Sequence, residues 1–79
     1  MITVEELLER AKAHQEKFKD WNSNKNFWWS LWITLEAIYY YGGADIAFGD
    51  KIYKIRTKED IVVLFLKIYD AYKNSIACE

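Results

Sequence analysis

Hydrophobic residues along the chain follow a helical spacing in three segments and an alternating spacing in a fourth. In the first segment, Thr3 and Glu6 form a capping box, which commonly starts a helix. The residues that recur at the spacing of one helical face are Val4, Leu7, Leu8, Ala11, Gln15 and Phe18. This spacing predicts a helix over about residues 4–21 with one buried face.

The second helical segment, predicted over about residues 26–41, contains more aromatic residues than one buried face requires. We expect it to end at Gly42-Gly43, because glycine readily adopts the left-handed conformation that closes helices. On a helical wheel, a first arc is a sufficient core face and consists of Phe27, Trp28, Leu31, Trp32, Leu35, Ile38 and Tyr39. A second set projects to the far side and consists of Trp29, Ile33 and Tyr40 with Glu36, next to the small or polar residues Asn26, Ser30, Thr34 and Ala37.

The alternating segment, about residues 44–56, predicts a β-hairpin closed by Gly49-Asp50, since glycine in the first position favours a type II′ turn. A two-residue turn also fixes the register of the two strands. The facing pairs are Phe48 with Lys51, Ile46 with Tyr53 and Ala44 with Ile55 on one face, and Ala47 with Ile52 and Asp45 with Lys54 on the other. The first of these faces is apolar and requires cover from the helices.

A third helix is predicted over about residues 58–76, after a capping sequence from Thr57 to Asp60. Its main apolar stripe consists of Ile61, Leu64, Phe65, Ile68, Tyr72 and Ile76. Val62, Leu66 and Tyr69 widen that stripe, so we expect this helix to contact several elements. The predicted fold is a small α+β single domain over residues 1–79, in the order α-α-β-β-α, with a two-stranded antiparallel hairpin packed against three helices.

Charge and composition narrow the function classes. The 79 residues include 11 basic and 12 acidic side chains, for a formal net charge of −1, so no overall field attracts nucleic acid or anionic lipid. The longest apolar stretch, Phe27 to Tyr41, is shorter than the ~20 residues of a membrane span. The single cysteine, Cys78, and a start without signal-peptide features favour the cytoplasm, which is the host cytoplasm if the chain is phage-encoded.

One loop has the spacing of a metal site. Asp20, Asn22 and Asn24 match the first three ligand positions of a calcium-binding loop. Lys25 and Leu31 stand where such a loop needs a glycine and a bidentate glutamate. The mismatch favours an ordinary polar turn, and we predict no metal site.

Candidate catalytic residues are equally few. His14 is the only histidine and lies at the margin of the first helix's apolar stripe, where a structural role is the simpler interpretation. Nothing in the spacing brings it to Glu36 or Asp45 as an acid–base pair. No phosphate loop or nucleophile motif occurs in the sequence. We therefore predict no catalytic residue, no cofactor and no enzymatic activity.

The second arc of helix 2 carries the main functional hypothesis. We predict a non-enzymatic protein–protein interaction domain that binds a protein partner through Trp29, Ile33, Glu36 and Tyr40, since Trp and Tyr are enriched at binding hot spots. Self-association is left open. Chains of this size without catalytic motifs are often phage or mobile-element inhibitors of host defence enzymes, including anti-CRISPR proteins. The competing interpretation is that helix 2 is central and buries both arcs in one core.

Two other function classes stay open. A small-ligand or enzymatic site between helix 2 and the hairpin would use tyrosines with Glu36 or Asp45 as its polar groups. A single-stranded nucleic-acid binder would stack bases on the face that carries Trp21, Lys25 and Trp29, although the near-neutral charge argues against it.

Overall fold

The structure, a computed structural model, describes residues 1–17 and 23–76. It contains three helices and a three-stranded mixed sheet. The elements are β1 (Ile2–Thr3), α1 (Val4–Glu16), α2 (Ser23–Tyr40), β2 (Ala44–Phe48), β3 (Lys51–Ile55) and α3 (Lys58–Ile76). The predicted α+β class and the order α-α-β-β-α are confirmed, with the hairpin forming two strands of the sheet.

Helix α1 begins at the predicted capping box and ends earlier than predicted. The Thr3 hydroxyl oxygen accepts a 3.1 Å hydrogen bond from the Glu6 amide. The helix stops at Glu16, where the Lys17 amide donates a 3.1 Å hydrogen bond to the His14 carbonyl instead of continuing the helical series. The predicted continuation through Phe18, and the calcium-like spacing at residues 20 and 22, lie outside the described residues.

Within residues 1–17 and 23–76, the short strand β1 is the one element that the sequence pattern did not predict. It pairs parallel with β2, placing Ile2 beside Ile46 and Thr3 beside Ala47. The sheet is therefore a three-stranded mixed sheet in the order β1-β2-β3, and not an isolated two-stranded hairpin. A strand of two residues is too short to show the alternation by which strands are recognised in a sequence.

The hairpin has the predicted register at all five pairs, from Ala44 opposite Ile55 to Phe48 opposite Lys51. Gly49 has a φ of 63°, and no non-glycine residue has a positive φ among the described residues. Positive φ at the first turn residue alone matches the expected type II′ turn. Ile46 and Ile55 are buried on one face of the sheet, whereas Ile52 on the other face is exposed.

The hydrogen bonds that end α2 explain why Gly42 and Gly43 follow it. The Gly43 amide donates to the Ile38 carbonyl at 2.8 Å and the Gly42 amide to the Tyr39 carbonyl at 3.2 Å, which is a Schellman arrangement. Both glycines have positive φ, and a Cβ on Gly43 would overlap the Ile55 carbonyl oxygen. Glycine at 43 therefore allows the end of α2 to lie directly against β3.

Helix α2 is central, because it packs against α1 on one side and α3 on the other. Helix α1 also contacts β1 and β2, and α3 contacts β3. The buried core draws on every helix and on the hairpin: Val4, Leu7, Ala11, Phe27, Leu31, Leu35, Ile38, Ile46, Ile55, Ile61, Leu64 and Ile68. Among the described residues, no helix has both the length and the hydropathy to cross a membrane.

Helix α3 begins at the second predicted capping sequence. The Asp60 carboxylate accepts hydrogen bonds from the amides of Arg56 and Thr57, both at 2.9 Å, and the Thr57 hydroxyl accepts one from the Asp60 amide at 3.2 Å. The two backbone amides, Arg56 first, hold the pKa of the Asp60 carboxyl below its ordinary value of 3.8. Aspartate thus replaces glutamate in this capping box without loss of the reciprocal hydrogen bonds.

Candidate functional site

The side of α2 that faces α1 is lined by small and polar residues as well as apolar ones. Ser30 and Thr34 are both buried, with 0% and 2% of their surface exposed. The Thr34 hydroxyl donates a 2.8 Å hydrogen bond to the Ser30 carbonyl, and its oxygen lies 2.8 Å from His14 Nδ1 on α1. The prediction that Ser30 and Thr34 project to the far side is therefore wrong: small side chains allow two helices to approach closely, and the buried hydroxyl of Thr34 is paired.

The predicted second arc of α2 lies on the side away from α1. Trp29 is 50% exposed and Tyr40 is 66% exposed, whereas Ile33 and Glu36 are half-buried. At 100° per residue, these four positions share an arc of about 60° and extend ~16 Å along the helix axis. The competing interpretation, that both arcs are fully buried, does not hold for Trp29 and Tyr40. Whether these residues bind a partner stays a prediction.

An open aromatic groove of about 480 Å³ lies beside this arc, between α2 and α3. Its lining residues are Trp28, Trp29, Trp32, Phe65 and Tyr69. The rings pack edge to face, with centroid distances of 4.9 Å for Trp28–Tyr69, 5.5 Å for Trp32–Phe65 and 6.0 Å for Trp28–Phe65. Such contacts stabilise aromatic pairs and fix the orientation of the rings before any partner arrives.

Trp28 holds the centre of this ring cluster and has one unusual atom. Its indole Nε1 is buried and has no hydrogen-bond acceptor among the described residues. Nearly all buried donors in folded proteins are paired, and an unpaired one costs about 1–3 kcal/mol.

Helix α3 contributes to the same surface through part of its wide apolar stripe, which the sequence pattern predicted to contact several elements. Val62, Leu66 and Tyr69 were expected to widen the buried stripe, yet they are exposed, Leu66 by 58%. The buried stripe of α3 is narrow, because α2 and β3 cover only the side that carries Ile61, Leu64 and Ile68. Of these three residues, Tyr69 lines the groove, together with Phe65 of the same helix.

We call the combined surface of the two helices the aromatic surface. Its members are Trp28, Trp29, Trp32, Ile33, Glu36 and Tyr40 of α2 and Phe65 and Tyr69 of α3. The predicted partner-binding residues are thus brought together on one side of α2. The wide stripe of helix 3 was the available sequence sign of the remaining members, but stripe width alone does not distinguish burial from exposure.

The polar groups suggested for a catalytic site are held apart. His14 Nδ1 bonds to Thr34, and the Asp45 carboxylate forms a 3.1 Å ion pair with Arg56. Glu36 lies on the aromatic surface, on a different side of α2 from His14. The acid–base pairs considered for His14 are therefore not formed among the described residues.

Metal and nucleic-acid candidates gain no support from the geometry. Within residues 1–17 and 23–76, no group of three or more His, Cys, Asp or Glu side chains is placed to hold a metal ion. Cys78 and Trp21 lie outside the described residues, and the side chain of Lys25 is likewise not described. The proposed base-stacking face of Trp21, Lys25 and Trp29 is therefore described only at Trp29.

Comparison with known protein families, with curated proteins and with solved structures found no match to this chain.

Proposed function

We propose that this chain is a non-enzymatic protein–protein interaction domain of the cytoplasm that binds a protein partner through the aromatic surface. The supporting observation is the continuity of exposed apolar side chains around a preformed groove: Trp29 on one rim and Tyr69 on the other are both substantially exposed. Large exposed apolar patches are uncommon on soluble proteins that act alone. Complete burial of one such side chain contributes ~1.5–3 kcal/mol to association.

The shape of the groove favours an amphipathic helix as the bound segment. Two helices form its walls, and a helix laid between them presents apolar side chains at every third or fourth position. Trp28, Trp32 and Phe65 are half-buried and held by edge-to-face contacts, so they form a firm floor for those side chains. Glu36 carries the one carboxyl group among the named members of the aromatic surface, which favours a basic residue opposite it in the partner.

The biological setting that we propose is inhibition of a host enzyme by a small phage or mobile-element protein, such as an anti-CRISPR protein. The small size of the domain, with a Cα radius of gyration of 12.0 Å, and the exposed aromatic rings on one side of it support occlusion of a partner. The test is the relief of host defence in cells that express the chain. Relief that is lost in Trp29→Ala and retained in a surface variant elsewhere would support inhibition; relief that is independent of Trp29 would contradict it.

Binding itself is tested by affinity capture followed by quantitative titration of the captured partner. Trp29→Ala with Tyr40→Ala should weaken binding by about thirtyfold or more, which corresponds to ~2 kcal/mol for hot-spot residues. Ile52→Ala is the matched control, because Ile52 is as exposed as Trp29 (52% against 50%) but lies on the far face of the sheet. Equal loss in both variants would contradict the proposal.

Self-association through the same surface is the second form of this proposal. Two copies that face each other across the groove would bury Trp29 and Tyr69 of both. Light scattering over a range of concentrations should then show a dimer that Trp29→Ala dissociates. A strict monomer, together with captured partners that do not change in the Trp29→Ala, Tyr40→Ala variant, would contradict both forms.

A further inference from the structure

A second pocket lies on another side of α2 from the aromatic surface. It is an open pocket with a volume of about 480 Å³, bordered by α1, the C-terminal half of α2 and the starts of β1 and β2. This volume falls within the ~300–1,000 Å³ of typical small-molecule sites. The pocket partly coincides with the predicted ligand site between helix 2 and the hairpin, and Tyr41 lines it, but its basic residues Arg10 and Lys17 come from α1.

The α1 wall of the pocket is basic. Arg10, Ala13, His14 and Lys17 recur at the spacing of one helical stripe, and all four line the pocket. Neither Arg10 nor Lys17 forms an ion pair with any residue in the described part of the chain. The described lining contains no Asp or Glu. Among the described residues, Arg10 and Lys17 therefore line the pocket without an acidic partner.

His14 is held in place by a hydrogen-bond chain that ends on the backbone. The single hydroxyl hydrogen of Thr34 is donated to the Ser30 carbonyl, so the bond between Thr34 and His14 must be donated by Nδ1–H. The hydrogen-bond network thus assigns the ring orientation and leaves Nε2 as its other polar atom. Because the His14 ring is already held at the wall of the pocket, no conformational entropy is lost in ordering it when a ligand binds.

The opposite wall of the pocket is apolar. Ile2, Ala37, Ile38 and Ala44 provide a hydrocarbon surface within the same cavity. Small side chains at 37 and 44 leave the space that a larger residue would fill. The pocket therefore combines an apolar wall with a cationic rim.

We propose that this pocket binds a small amphipathic organic anion. The apolar body of the ligand lies against Ala37 and Ile38, and its anionic head is held by Arg10 and Lys17. Charge-assisted hydrogen bonds to arginine suit both carboxylate and phosphate heads. Inorganic phosphate can interact only with the cationic rim, and an uncharged alcohol can interact only with the apolar wall. Neither compound alone makes both kinds of contact.

The proposal is tested by NMR titration of the full chain with four probes: hexanoate, hexyl phosphate, hexanol and inorganic phosphate. Hexanoate or hexyl phosphate should give saturable shifts of the His14, Ala37 and Gly43 amides, with an affinity about tenfold above that of hexanol or inorganic phosphate. Whichever of the two anions binds more tightly identifies the head group. Equal affinity for hexanol and hexanoate, or no saturable shift at these amides with either anion, would overturn the proposal.

Charge-matched variants distinguish the contribution of the cationic rim to ligand binding from that of the apolar wall. Arg10→Gln with Lys17→Gln should weaken hexanoate binding about tenfold and leave hexanol binding unchanged. Lys54→Gln with Lys67→Gln removes the same charge from exposed positions elsewhere and should leave both unchanged. Ala37→Phe should block both probes by filling the cavity. If hexanoate binds the Arg10→Gln, Lys17→Gln variant as tightly as the native chain, the anion site is wrong.

This site is independent of the aromatic surface. Trp29→Ala should leave hexanoate binding unchanged while it weakens capture of a protein partner. The two proposals can therefore fail separately. Loss of hexanoate binding in Trp29→Ala would contradict the independence of the pocket from the aromatic surface. The hexanoate titration of the Arg10 and Lys17 variants does not require a protein partner, so it tests the pocket alone.

Discussion

Ser30 and Thr34 are polar and buried where α2 meets α1, whereas Trp29 and Tyr40 are aromatic and exposed on another side of the same helix. Close helix packing explains the first pair, since small side chains permit close approach and the Thr34 hydroxyl is paired. Packing among the described residues does not account for Trp29 and Tyr40, which stay at least half exposed. We therefore expect substitutions toward α1 or in the core to change stability, and substitutions on the aromatic surface to change binding.

The largest expected effect compares two leucines. Leu35 of α2 is fully buried and Leu66 of α3 is 58% exposed. Leu35→Ala removes methyl groups from the core and should lower the free energy of unfolding by ~2–5 kcal/mol. Leu66→Ala should change it by no more than about 0.5 kcal/mol. Urea denaturation measures both, and a similar large loss in the two variants would show that the exposed side of α3 is structural.

The next largest expected effect on stability compares two buried hydroxyl groups, those of Thr34 and Ser30, on the side of α2 that faces α1. The Thr34 hydroxyl is bonded to Ser30 and His14, whereas Ser30 Oγ is buried without a partner among the described residues. Thr34→Val leaves His14 Nδ1 without its acceptor and should lower the free energy of unfolding by ~1–3 kcal/mol.

Ser30→Ala is the matched change, since it removes an unpaired hydroxyl and should be neutral or slightly stabilising. Denaturation of both variants under identical conditions provides the comparison. A larger loss for Ser30→Ala than for Thr34→Val would reverse the roles assigned to these two residues.

On the aromatic surface, Trp29→Ala and Tyr40→Ala should each change the free energy of unfolding by only about 0.5 kcal/mol, because both side chains are at least half exposed. Thermal and urea unfolding measure this directly. A loss of several kcal/mol would place either ring in the core and remove the contrast between the two sides of α2.

The smallest effect is the pH dependence of the α3 cap. The pKa of Asp60 is lowered in the folded chain. The carboxylate therefore stabilises the fold above the ordinary pKa of 3.8, and this contribution is lost as pH falls through the lower folded pKa. The difference in unfolding midpoint between the native chain and Asp60→Asn should therefore be constant near neutral pH and shrink below about pH 4. A difference that grows on acidification would contradict the assigned sign.

The sequence predicts those parts of the fold in which local chemistry decides the structure. Gly49-Asp50 sets a two-residue turn, and the turn fixes every pair of the hairpin. Thr3 and Thr57 begin their helices through hydrogen bonds to residues three positions away. In each case the deciding contacts lie within a few residues of one another along the chain.

The parts that were not predicted depend on contacts between distant segments. Strand β1 forms through its pairing with β2, in which Ile2 lies beside Ile46, more than 40 positions away along the chain. A wheel sorts residues by hydropathy and therefore placed Ser30 and Thr34 on the far side, although a neighbouring helix covers them. It also assigned Leu66 to a buried stripe, although no element lies over it. Predicting these features requires knowledge of which helices and strands pack against one another in the fold.

The most direct test of the account is site-specific photo-crosslinking in cells, with a photoreactive phenylalanine derivative at position 40 or at position 52. Tyr40 and Ile52 are both more than half exposed, but only Tyr40 lies on the aromatic surface. We predict a discrete crosslinked product from position 40, absent from position 52 and lost when Trp29→Ala is added. Products of equal yield from both positions, or a position-40 product that persists in Trp29→Ala, would contradict a binding role for the aromatic surface.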